Sequence, residues 1–167
     1  SDGKTYQGSG ALIASDLVLT CAHNVIDQKP KVGRATSVEF FPGWNSTNQP
    51  ADGLAASKWA YPQAYQDGED AWDVGLVKLK KPVAGVTYFF VPQSVNDTKL
   101  VDEYLTLAGY PGDKGGEMWT DLDQVAAVEL RTNTVLFTHD TFGGSSGSPL
   151  YVYDSVQDVV RQYAIHN

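Results

Sequence analysis

A chain of 167 residues is long enough for one domain with a core that needs no covalent staples. With 42% hydrophobic and 19% charged residues it has an ordinary globular composition, and no apolar run approaches the 18 residues of a membrane-spanning helix. A formal net charge of −8 and a pI near 4.6 argue against a surface built to neutralise phosphates, so neither nucleic acid nor membrane is expected as a partner.

Residues 6–41 read as β. The run Gly8-Ser9-Gly10-Ala11-Leu12-Ile13-Ala14 predicts a glycine-punctuated strand, Asp16 a turn, and Leu17 to Thr20 a second strand. Ala22 to Ile26 predicts one helical turn, which sets His23 at a strand-to-helix junction. Thr36 to Phe41 alternates and carries β-branched and aromatic residues, the pattern of a strand. Pro42 to Asp52 is a loop rich in Gly, Asn, Ser and Pro. A strand follows at Leu54 to Tyr61, then a polar loop through Asp70, then a buried strand at Val74 to Leu79. Lys80-Lys81-Pro82-Val83-Ala84-Gly85 reads as the linker. Beyond it, strands are expected near 104–110, 117–130, 134–139, 150–154 and 159–166. Short strands with regular turn signals and no helical periodicity beyond a turn or two mean an all-β sandwich or barrels. Spacing alone does not choose between them.

The run Thr141-Phe142-Gly143-Gly144-Ser145-Ser146-Gly147-Ser148-Pro149-Leu150 carries the most chemistry. Glycines let a backbone turn tightly and approach another molecule, and two N–H groups beside one hydroxyl are what acyl transfer requires. Alone, the run is equally a Gly/Ser turn. Upstream, however, Thr20-Cys21-Ala22-His23 closes one apolar run and Asp73-Val74-Gly75-Leu76-Val77-Lys78-Leu79 opens another. The order His…Asp…Ser is one of three in which this triad recurs on unrelated folds. An imidazole, with an unperturbed pKa near ~6.5, suits a base that takes the hydroxyl proton. Asp70 competes with Asp73 as its partner, Asp67 and Glu69 read as loop charges, and His139 reads as structural. Neither His-x-x-x-His nor a cysteine cluster is present, so no metal or cofactor is expected. Cys21 is the one cysteine, which rules out an internal disulfide. Asn45-Ser46-Thr47 and Asn96-Asp97-Thr98 fit the glycosylation sequon.

On these three motifs, spanning His23 to Pro149, the sequence resembles chymotrypsin-fold serine proteases. More narrowly it is similar to bacterial-type glutamyl endopeptidases, through Gly109-Tyr110-Pro111-Gly112-Asp113-Lys114 and Gly144-Ser145-Ser146-Gly147-Ser148-Pro149. The resemblance implies two packed six-stranded antiparallel β-barrels with the active site in the cleft between them. Residues 1–82 would form the N-terminal barrel with His23 and Asp73, and 83–167 the C-terminal barrel with Ser146 and the specificity pocket. It also implies Ser146, rather than Ser145 or Ser148, as nucleophile, and the N–H groups of Gly144 and Ser146 as the oxyanion hole. Asp73 is preferred to Asp70 because Asp-Val-Gly-Leu matches the family's Asp-[Ile/Val]-[Ala/Gly]-Leu. Ser145 stands where trypsin-like zymogens carry an Asp that pairs with a freed N-terminus, so that activation switch is absent. A secreted, mature serine endopeptidase acting on polypeptides is the implied function.

Specificity has two readings. Asp140 lies six residues before Ser146, the offset at which trypsin places the carboxylate that recruits Arg and Lys. Glutamyl endopeptidases commonly show Asp-Thr here as well. By resemblance to them the substrate-binding residues are Thr141 and the His of Ile165-His166, giving cleavage after Glu and then Asp. The sequence departs from relatives at three places. Asn24 stands where many animal members carry a cysteine paired with one before the His. Only Ser1 to Thr5 precede the first matching strand, and the chain stops at Asn167. Both barrels are therefore expected to lack an edge strand, to be completed by a second chain or a missing segment. A catalytically incompetent relative serving as a binding module is the competing reading from another class.

Overall fold

A computed structural model describes residues 3–28, 33–46, 52–94, 100–129, 132 and 134–167. Two β-sheets account for nearly all of its regular structure. The first has five strands in the order β1-β2-β5-β4-β3: β1 (Ala11–Ala14), β2 (Leu17–Thr20), β3 (Glu39–Phe40), β4 (Leu54–Ala60) and β5 (Gly75–Leu79). The second has six, in the order β6-β11-β10-β7-β8-β9: β6 (Phe90–Pro92), β7 (Tyr104–Gly109), β8 (Trp119–Glu129), β9 (Thr134–Phe137), β10 (Pro149–Asp154) and β11 (Val159–Ile165). All neighbours pair antiparallel except β6 with β11.

Each sheet closes over its own core. Val18, Val25, Val77, Leu79 and Val83 are buried together in the first, with Leu12, Phe40, Leu54 and Trp59 against them. Leu100, Leu105, Leu107, Val125 and Leu150 form the second, flanked by Val135, Phe137 and Tyr163. The two-residue period explains the selection: in β5, Gly75, Val77 and Leu79 are buried while Leu76 is exposed and Lys78 lies between. Leu105 and Leu107 do the same in β7.

Several elements differ from expectation. The strand expected over Thr36–Phe41 is only Glu39–Phe40. Residues ahead of it form an isolated bridge between Ile26 and Arg34 instead. The polar loop before Asp70 holds a four-residue helix, α1 (Gln63–Gln66), whose Tyr65 packs on Ala22 and Ile26. β6 went unforeseen; it ends in Pro92, which has no N–H to give a ladder. The segment expected as linker is packed in its middle rather than loose, since Val83 is buried and its N–H donates to Ser15 O at 2.7 Å. The sequon threonines Thr47 and Thr98 lie outside the described residues.

Candidate active site

The register of β2 with β5 creates one half of the site. Thr20 pairs with Gly75, so the residues leaving β2 and those entering β5 run side by side. Cys21 continues extended, and the buried Ala22 and Val25 curl the chain into a 3-10 turn over Ala22–Asn24. Opposite it, a second 3-10 turn at Asp70–Trp72 is closed by Asp73 N–H to Asp70 O at 3.1 Å. Gly75 makes the close approach possible, because a Cβ there would lie 2.8 Å from Cys21 O. His23 and Asp73 meet as a result. The His23 backbone N–H donates to Asp73 Oδ1 at 2.8 Å, and its ring Nδ1 lies 2.5 Å from Oδ2. An ionised carboxylate only accepts, so the shared proton sits on Nδ1, and the tautomer this selects has its lone pair on Nε2. The Asp73 side chain is 9% exposed and that of His23 35% exposed. Asp70, the competing carboxylate, takes a long contact from Gln28 Nε2 at 3.4 Å instead.

The serine loop forms the other half. Phe142 O accepts from Ser145 N–H at 3.0 Å, closing a turn whose third residue, Gly144, has φ +104°. That value selects a type II turn, which L side chains disfavour. Gly143 O accepts from Gly112 N–H at 2.7 Å. Across a trans peptide the C=O and N–H point oppositely, so the N–H of Gly144 is turned away from Gly112. Neither that N–H nor the N–H of Ser146 is engaged in the loop's own bonds. Of the three serines, Ser145 is 2% exposed, while Ser148 is fully buried and donates to Ser145 O at 2.6 Å. Ser146 alone is half open to solvent. Its hydroxyl makes no hydrogen bond among the described residues; Ser146 meets the turn that carries His23 through its carbonyl, which accepts from Asn24 Nδ2.

The seam itself is polar, and sequence reasoning did not anticipate it. Ser9 N–H and Asn24 Nδ2 both donate to Ser146 O, at 2.7 and 2.9 Å. Ser9 Oγ donates to Gly144 O at 2.8 Å and accepts from Tyr110 N–H at 2.9 Å. The one available signal was glycine: Gly8 and Gly147 leave room for the Asn24 side chain from either side.

Among the expected substrate-binding residues, Thr141 is half-buried and Asp140 is exposed, its N–H donating to Asp121 Oδ2 at 3.1 Å. The His166 ring is half-buried edge-on to Phe137 at 5.7 Å. Burial, and then the neighbouring His139 and His23, pull its pKa below the usual imidazole value. His139 is buried, with Nε2 2.9 Å from Leu105 O, so it carries its proton there, as a structural role requires. Cys21, His23 and Asp73 form the one cluster of potential metal donors among the described residues. The set does not suit a metal. The Cys21 thiol is fully buried, donates to His166 O at 3.0 Å, and is pushed far above its ordinary pKa by burial and by Asp73. Nδ1 of His23 is already committed.

A family model described as the trypsin-like peptidase domain matches residues 8–158. The glutamyl endopeptidase of Bacillus licheniformis is 29% identical over 148 residues, covering 88% of this chain and 46% of that protein. A Bacillus subtilis protein named extracellular metalloprotease is 28% identical over 149 residues, with the same coverage of 88% and 46%. The chain thus spans about half the length of the curated relatives it matches. A solved structure of a Glu endopeptidase in complex with MPD superposes with a TM-score of 0.78 at 26% identity, covering 93% of this chain and 73% of that one. It supports the reading of the two sheets as a chymotrypsin-like pair of barrels.

Proposed function

The chain belongs to the trypsin-like peptidase family, and from that premise we propose that it is a serine endopeptidase that cleaves after Glu, and less readily after Asp. The observation that carries the reading is the doubly bonded His23–Asp73 pair beside the one serine of its loop that reaches solvent.

Ser146 Oγ attacks the substrate carbonyl as its proton passes to His23 Nε2. Asp73 keeps the proton on Nδ1 and stabilises the imidazolium. The negative oxygen of the tetrahedral intermediate receives the N–H groups of Gly144 and Ser146, each worth about 3 kcal/mol of barrier. The intermediate collapses as Nε2 returns the proton to the leaving amine, leaving Ser146 acylated. Water then repeats the sequence, with His23 again as base, and releases the acid. Acidic preference rests on Thr141 and His166, whose hydroxyl and ring N–H donate to a substrate carboxylate. Such a bond is charge-assisted and stronger than a neutral one.

A serine-directed phosphonate tests the chemistry: Ser146→Ala removes labelling and Ser145→Ala keeps it. A catalytically dead binding module gives no labelling in any variant. A peptide series differing only before the scissile bond tests specificity. Fastest cleavage after Lys or Arg would overturn the acidic reading and assign the pocket to Asp140. With neither His-x-x-x-His nor a cysteine cluster in the sequence, EDTA is expected to leave the rate unchanged.

A further inference from the structure

The bonds across the seam have directions that can be read without ambiguity, because three of their acceptors are carbonyl oxygens. Ser146 O must face the Asn24 amide nitrogen, which fixes that amide's orientation. The second Nδ2 hydrogen then goes to Thr20 Oγ1 at 2.8 Å, and Thr20 donates onward to Ser9 O at 2.7 Å. Ser9 Oγ donates to Gly144 O and accepts from Tyr110. The circuit is closed and largely buried, since Ser9 and Thr20 are 6% and 5% exposed. Its two ends grip the carbonyls of Ser146 and Gly144. These are the same two residues whose N–H groups receive the developing oxyanion in the mechanism above. Asn24 also directly follows His23 within the same 3-10 turn.

We infer that Asn24 and Ser9 are positioning residues: they hold the oxyanion-binding amides and Ser146 in register with His23 across the seam. The inference rests on the serine-protease reading. Each carbonyl fixes its own peptide plane: the planes of Gly144 O and Ser146 O flank the plane that carries the Ser146 N–H, and the first also adjoins the plane that carries the Gly144 N–H, so holding both limits how far these amides can rotate. An error of 1 Å in such an alignment costs about 10²-fold in rate.

The test compares the wild-type chain with Asn24→Leu, which keeps the volume and removes both donors, and Ser9→Ala, which spares the Ser9 N–H bond to Ser146 O. Phosphonate labelling rates are measured on protein shown to be folded by its cooperative melt. Binding is measured for a peptide aldehyde ending in glutamal, which forms an oxyanion adduct, and for the corresponding peptide acid, which does not. Both variants are expected to label about 10²-fold more slowly and to lose aldehyde affinity in step, with acid affinity unchanged. Wild-type labelling rates, or equal losses of aldehyde and acid affinity, would show the circuit to be structural only. If Asn24→Leu fails to fold, Ser9→Ala decides alone. A wild-type protein that does not label overturns the protease reading itself, and this inference with it.

Discussion

Asp73 holds its histidine with both oxygens, one on the backbone N–H and one on the ring. Replacing it with Asn keeps the shape but reverses the second bond: an amide N–H now faces Nδ1 and drives the ring proton to Nε2. The ring can then no longer take the Ser146 proton. Asp73→Asn is expected to lower turnover by about 10⁴-fold with little loss of stability, measured by kcat beside a thermal melt. His166 makes a different prediction. Its pKa is lowered by burial, so in the empty site it is already neutral below the ordinary imidazole range. Pairing fully with a carboxylate then requires proton uptake, which becomes harder as pH rises. For a peptide with Glu before the scissile bond, KM is expected to rise between pH 5 and 8, by at most ~10-fold per unit for one proton. The matched Gln peptide stays flat. If both peptides move together, His166 does not read the charge.

At the scale of elements, the glycines at the seam matter more than the strands. Gly147 has φ +96°, and a Cβ there would collide with Ser9 O and Thr20 Oγ1. Gly147→Ala therefore faces strain and a clash at once, and is expected to destabilise the fold by several kcal/mol, read as a large drop in Tm together with lost labelling. A melt within a degree or two of wild type would mean the seam gives way easily. The same elements show what the sequence made legible. β2 and β5 were readable because their runs are apolar and end at chemistry-bearing residues, and the β7–β11 strands because turn signals bracket them. β3 and β6 were not, being two and three residues long and set by partners distant in the chain. His23, Asp73 and Ser146 stood out by motif. The Ser9–Thr20–Asn24 circuit did not, because three common polar residues carry no pattern until the fold brings them to one carbonyl.

On the whole molecule, the net charge of −8 acts against an acidic substrate. Repulsion between like charges slows encounter at low salt, where the Debye length is near ~30 Å, and fades near ~8 Å at physiological ionic strength. For an acidic peptide kcat/KM is expected to rise with salt over that range, and for a peptide with Lys flanking the same Glu to fall. Identical salt profiles would mean that the local field at the site overrides the global one. The fold also keeps the apolar cores of its two sheets separate, with hydrogen bonds such as Ser9 N–H to Ser146 O running across the junction between them. Cys21 lies at that junction, sealed from water, with its sulfur on a carbonyl of the opposite sheet's last residues. As the chain's single thiol it is a built-in gauge. Disulfide exchange with a coloured reagent can proceed only from forms in which the packing around Cys21 has opened. Its rate divided by that of a free cysteine therefore reads how often this part of the junction is open.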